Sequence, residues 1–166
     1  MNHSYIIAFW SPSPISSADL CMEFFSHYLK KFGDIQCLDC KNNQDRRTWH
    51  LMRQADLIVI AVHQNHREIC DLFLRGGIRF PNCVWMVVDY IPEPGFDLAR
   101  ISCEFRIPDS RLLFIPYQPL GEKLLQNKNR RKNISITGTS SYGHSNPDYR
   151  RALTRSARMM LKALGF

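Results

Sequence analysis

No apolar stretch in this sequence approaches the roughly 20 residues that span a bilayer. The blocks Tyr5–Trp10, Leu57–Val62 and Cys83–Val88 are six residues each, so no membrane-spanning segment is expected. The first residues lack the basic stretch and cleavage pattern of a secretory signal. Charged residues are not dominant, at 22% beside 45% hydrophobic, which excludes a disordered composition. Glycine and lysine are both missing from Phe9–Leu20 (FWSPSPISSADL), where Pro12 and Pro14 also remove two amide donors. A segment so built has little capacity to wrap a phosphate group. Residue spacing alone carries no Ser–His–Asp or paired-carboxylate arrangement.

What is present fits one globular unit. A chain of 166 residues is long enough to bury a substantial core, and residues 1–166 are expected to form one domain. Cys21, Cys37, Cys40, Cys70, Cys83 and Cys103 are scattered through apolar segments rather than through the loops of a short secreted scaffold. They are expected to be reduced, mostly buried thiols in a cytoplasmic protein. Charge is uneven. Residues 121–166 hold ten Lys/Arg against Glu122 and Asp148. That local +8 exceeds the chain total of +7 and leaves the first 120 residues at −1. A polyanion would be drawn to the C-terminal end.

Strand and helix signals alternate along the chain. Tyr5–Trp10 (YIIAFW) is apolar on both faces, as a covered strand requires. A Ser/Pro loop, Ser11–Ile15, leads to a helix capped by Ser16 or Ser17 and running to about Lys31. Leu20, Phe24, Tyr28 and Leu29 are expected on its buried side, with Gly33 ending it. Further strands are expected at Ile35–Leu38, Asp56–Val62, Cys83–Val88 and Arg111–Ile115. Helices are expected at Thr48–Gln54, Asn65–Arg75, Phe96–Glu104 and Gly121–Asn127. Lys128–Asn146 reads as a basic surface loop. Asn146-Pro147-Asp148 opens a last helix ending near Leu164. Such alternation implies an open, mainly parallel five-stranded sheet in the order 2-1-3-4-5, Rossmann-like, with helices on both faces.

The succession at Tyr5–Lys31, the segment Gln54–Asn65 (QADLIVIAVHQN) and Asn82–Tyr90 followed by Arg111–Tyr117 (RLLFIPY) resemble ParA/MinD-type P-loop ATPases. The resemblance touches most of the chain but rests on element order and short phrases. It implies a P-loop-like fold in which the first strand feeds a phosphate loop. In that family the loop needs glycines for an amide cradle, a lysine for the β/γ-phosphates and a Ser/Thr for magnesium. Here only Ser16 or Ser17 stands where that Ser/Thr does. Asp39 matches an acid after the family's second strand, and most of the stretch carrying the family's switch is missing. ATP hydrolysis is therefore not expected. Weak phosphate or nucleotide contact at Ser11, Ser13, Ser16, Ser17 and Asp39 is the most the helix N-terminus offers, and no cofactor is expected.

Three other groupings carry chemistry. Cys37-Leu-Asp-Cys40 and His63-Gln-Asn-His66 have zinc-ligand spacing. In a 2-1-3 order, however, the first strand separates them by roughly 10 Å, and ordinary packing is the expectation. If zinc binds at all, Cys37, Cys40, His63 and His66 are the expected ligands, and the expectation is that it does not. Trp85 is expected in the core; Trp10, at the end of its strand, is expected to pack there as well, with lining of a cleft as the alternative. On the last helix Arg151, Arg155, Arg158 and Lys162 form a basic stripe, opposite an apolar stripe of Tyr149, Leu153, Ala157, Met160 and Leu164. With Arg130, Arg131 and Lys132 the basic stripe offers a surface for nonspecific DNA contact. The leading expectation is a non-catalytic P-loop-like domain that binds a protein partner, as an accessory factor in partitioning or mobile-element biology. A nonspecific DNA-binding module and an ATPase with an atypical loop are the alternatives. Homo-oligomer formation stays open.

Overall fold

The computed structural model describes residues 4–14, 18–74, 80–92, 95–117 and 147–166, with backbone alone at 18–21 and 23. Five strands, β1 (Tyr5–Trp10), β2 (Ile35–Asp39), β3 (Leu57–His63), β4 (Cys83–Tyr90) and β5 (Leu112–Pro116), form one sheet in the order β2-β1-β3-β4-β5. Every pairing is parallel. Five helices connect or flank them: α1 (Ala18–Leu29), α2 (Arg46–Gln54), α3 (His66–Leu74), α4 (Leu98–Phe105) and α5 (Pro147–Leu164). No helix among the described residues is long and apolar enough to cross a membrane. The expected helix at 121–127 and basic loop at 128–146 lie outside the described residues.

Because successive strand residues point to opposite faces, β3 feeds two cores at once. Leu57, Val59 and Ala61 join Ile7, Phe9, Val84, Met86, Leu113 and Ile115 beneath α1 and α5. Ile58, Ile60 and Val62 join Ala8, Trp10, Trp85 and Val87 beneath α2, α3 and α4, which contribute Met52, Ile69 and Ile101. The helices thus cover both faces. On α5 the expected division holds: Leu153, Ala157 and Met160 are buried while Arg151, Arg155, Arg158 and Lys162 are exposed. Ser156, also buried, donates its hydroxyl to the Phe114 carbonyl at 3.2 Å, which meets the need of a buried polar group for a partner.

Some local expectations shift. The buried side of α1 centres on Phe25 and Leu29, with Phe24 and Tyr28 half-buried at its margin. This helix ends at Leu29 through tight turns, Lys31 N to Tyr28 O and Phe32 N to Leu29 O. Gly33 does not cap it and has no left-handed φ. Its missing side chain instead makes room for the Phe166 ring, which a Cβ would approach to 3.3 Å. In α2 the start is two residues earlier than Thr48, because the Asp45 carboxylate accepts from Thr48 N at 2.7 Å and caps the helix.

A strand that is apolar on both faces does not select its own register by polarity, since a one-residue slip exchanges one oily face for another. Polar groups at the N-terminal edge do it here. Asp56 accepts from Ile6 N through its side chain at 2.7 Å and donates its own amide to Ile6 O at 2.8 Å. Asn82 donates to the Ala55 and Asp56 carbonyls, and Ile58 N donates to Asn82 O. Asp56→Ala should therefore destabilise the fold by about 1–3 kcal/mol, the cost of a part-buried amide left unpaired. Asp56→Asn should retain part of that loss, and urea unfolding of both variants measures the difference.

Candidate functional site

In an open parallel sheet the strand order reverses between β1 and β3, and the chain leaves these neighbours in opposite directions. A cleft of about 690 Å³ opens on the α2/α3 side of that point. Trp10, Pro12 and Ser13 from the end of β1, Gln44 and Trp49 from around α2, and Asn65, Arg67, Glu68, Asp71 and Leu72 from α3 line it. Trp10 is only 3% exposed and belongs to the core on this face, so it borders the cleft with little open surface. Its indole donates to the Asn43 carbonyl at 2.8 Å and packs on Trp49 at 5.6 Å between ring centres, and Trp49 in turn stacks on Phe80.

The turn after β1 is closed upon itself. The Ser11 hydroxyl donates to the Ser13 carbonyl and accepts from Ser13 N at 3.3 Å. Ser11 N donates to Lys41 O, and Cys40 N to Phe9 O, tying this turn to the exit of β2. There Asp39 accepts from Lys41 N at 2.9 Å and closes its own turn. Ser11 and Asp39 are thus engaged locally, only Ser13 of the expected anion-contacting residues borders the cleft, and Ser16 and Ser17 lie outside the described residues.

Ser13, His63 and Glu68 meet beside the cleft, an association that spacing alone did not reveal. The Ser13 hydroxyl lies 3.3 Å from His63 Nδ1 and a Glu68 oxygen 3.0 Å from the same nitrogen, while the other Glu68 oxygen accepts from His63 N. A nucleophile-activating triad holds the serine on one ring nitrogen and the carboxylate on the other. Here both compete for Nδ1, so the serine is not relieved of its proton. The group works as a clasp. Glu68 pulls the end of β3 onto the first turn of α3, whose amides at Arg67 and Glu68 are already taken by the Asn65 side chain. Beside it Gln64 holds the segment after β4 through Ile91 N, Ile91 O and Phe96 O.

The CxxC and HxxH residues do not converge. Cys37 packs against the core beneath α1 and α5, whereas Cys40 belongs to the core on the other face. His63 is committed to Glu68, and His66 faces α4, where it pairs with Glu104. The basic stripe of α5 is exposed, and Arg150, Arg151, Arg155, Arg158 and Lys162 border one shallow depression there. Arg130, Arg131 and Lys132 lie outside the described residues. Sequence reasoning missed Trp49, Arg67, Glu68 and Asp71 because it followed the first strand's loop alone. The polar run directly after β3 was the available signal, since the order 2-1-3 makes it the opposite lip of the same crevice.

No family model and no curated protein sequence matches this chain. Among solved structures it is similar to a candidate plasmid partition protein from Borrelia burgdorferi B31, determined with bound AMPPNP. The TM-score is 0.53 at 12% identity, over 96% of this chain and 87% of that one. This likeness shows a distantly ParA-like α/β fold.

Burial sets the thiol chemistry. Desolvation pushes Cys37 up to about 11, with Lys30 and Ser26 pulling partly against it, and burial raises Cys40 and Cys83 as well. A thiol attacks as its thiolate, so these three should resist alkylation in the native protein at pH 8 while exposed Cys103 reacts. Peptide mass mapping after brief iodoacetamide treatment should find Cys103 modified and Cys37, Cys40 and Cys83 modified only after unfolding. Rapid native labelling of Cys37 or Cys40 would contradict this account.

Proposed function

We propose that this chain is a non-hydrolysing, P-loop-like domain that acts by binding a protein partner through the cleft at the β1/β3 crevice. The observation that carries this reading is the character of that cleft. The turn above it is proline-bearing and self-bonded, and among the described residues its lining holds one cation, Arg67, beside two carboxylates, Glu68 and Asp71. A triphosphate brings several negative charges and depends on an amide cradle and a lysine. Those carboxylates would repel it. Trp49, Pro12 and Leu72, half-buried over the core residue Trp10, instead supply the aromatic and apolar surface, with polar groups at the edge, that protein recognition sites favour. The neighbour's link to plasmid partition supports a role beside partition or mobile-element machinery, as an accessory factor rather than a motor.

Two measurements test the reading together. Titration of ATP or ADP with magnesium should leave the fluorescence of the Trp10–Trp49 pair unchanged, and phosphate release should stay at the buffer blank. ATP turnover abolished by replacing Ser16 and Ser17 with Ala would overturn the non-hydrolysing assignment. A photo-crosslinking amino acid at position 49, introduced in the native host, should capture one defined protein, and Leu72→Asp should abolish that adduct. Absence of any adduct at position 49 would count against partner binding at the cleft.

A second reading, a nonspecific DNA surface, is favoured by the five basic side chains that border one depression on α5. Asp148 sits near them, 3.5 Å from Arg151, and a pair so exposed counts for little. If four to six cations engage phosphates, log affinity should fall with log salt at a slope of about −4 to −5. Fluorescence anisotropy with two unrelated duplexes should give equal affinities. Arg151→Glu with Arg155→Glu should weaken both alike and flatten the slope. No binding at low salt would leave the stripe as a solvated helix face.

A further inference from the structure

Behind the cleft, on the side of α3 turned toward α4, three side chains of different chemistry converge. Among the described residues, His66, Cys70 and Glu104 are the one group of His, Cys, Asp or Glu whose ligand atoms all lie within 4.8 Å of one another. We propose that His66, Cys70 and Glu104 bind one zinc-class divalent ion that links α3 to α4 and leaves a fourth coordination position open to solvent.

Helical spacing is the first reason. His66 and Cys70 are four residues apart on α3 and therefore share a face one turn apart. Tetrahedral zinc, with bonds of about 2.0 Å to nitrogen and 2.3 Å to sulfur, sets those two atoms about 3.5 Å apart. Cys70 Sγ lies 3.5 Å from His66 Nδ1 and 3.6 Å from Nε2. The same Nε2 pairs directly with Glu104 Oε1, so an ion would replace that contact, with nitrogen and oxygen parting to about 3.3 Å, while all three ligand atoms already lie within 4.8 Å of one another.

The surroundings hold these groups in place. Arg100 Nε reaches the other Glu104 oxygen at 3.4 Å, which leaves Oε1 to the ion. The His66 ring is packed between Phe96 and Phe105, at 5.4 and 5.8 Å between ring centres. Outer-shell contacts of this kind orient metal ligands. Ligation would displace the proton of the Cys70 thiol to solvent and the Nε2 proton that His66 shares with Glu104 to Nδ1 or to solvent. Two anionic ligands then balance the charge of the ion. This donor set of imidazole, thiolate and carboxylate suits zinc and cobalt better than the hard cations magnesium and calcium.

The consequence for the fold is local. Arg67, Glu68, Asp71 and Leu72 form one wall of the cleft, and the ion would brace the same helix from its far side. This site does not depend on the partner-binding reading.

The full-length, reduced, chelator-stripped protein should be titrated with cobalt(II). At one equivalent it should develop a near-ultraviolet thiolate-to-cobalt band and the intense visible bands of a tetrahedral ion, and zinc should then displace the cobalt. Cys70→Ser should abolish the thiolate band and weaken binding by more than about tenfold, the loss that a disturbed outer shell alone already produces. Glu104→Gln should weaken binding but keep the thiolate band, and Cys103→Ser should change nothing. Absence of the cobalt spectrum in the unmodified protein overturns the proposal. So does a thiolate band that survives Cys70→Ser in protein whose circular dichroism is unchanged, because the ion would then sit on another thiol.

Discussion

The position of β3 is the constraint on which the rest of this structure depends. It lies between β1 and β4, buries both faces, and gives half its side chains to each of two cores. Hydrophobicity holds such a strand inside but leaves its sliding position undetermined. Asp56 and Asn82 fix it through paired hydrogen bonds to Ile6, Ala55 and Ile58 at the N-terminal edge. Once β3 is fixed at that end, His63, Gln64 and Asn65 emerge at the opposite end at a defined height beside Trp10. The clasp between Glu68 and His63 then sets where α3 begins.

The crevice made by this arrangement is general to open parallel sheets, but what fills its rim is particular to this chain. The turn after β1 spends its serine hydroxyls on its own backbone and on His63. Pro12 and Pro14 contribute no amide donor to it. Across the gap, α3 presents acids whose first duty is structural, Glu68 above all. The described rim is thus a self-closed turn facing acids, and a shared architecture by itself assigns no chemistry to it.

Two helices divide the remaining work. On α5, one stripe completes the core beneath β5 and the other stays in solvent with its charges, so its sequence serves stability and surface potential at once. On α3, one side lines the cleft and the other meets α4 through His66, Cys70 and the aromatic rings around them. Each helix thereby couples an exposed surface to the packing behind it.

Element order, the parallel sheet and its strand order were legible in the sequence, as were the two stripes of α5. These follow from periodicity along contiguous residues and from the handedness of crossovers, which act locally. That Trp10 packs in the core at the end of its strand was legible for the same reason. Contacts between residues far apart in the chain were not. Spacing suggested Cys37 with Cys40 and His63 with His66, but the pleat sends the two cysteines to opposite cores, and the turn from β3 into α3 commits the histidines to Glu68 and Glu104. His66 lies four residues from Cys70 in sequence but 38 from Glu104, and only the packing of α3 beside α4 brings that carboxylate to the other two. Sequence determined which segments form the layers. Tertiary structure decided which side chains meet, because meeting depends on how separate elements are stacked and rotated, and no local pattern encodes that.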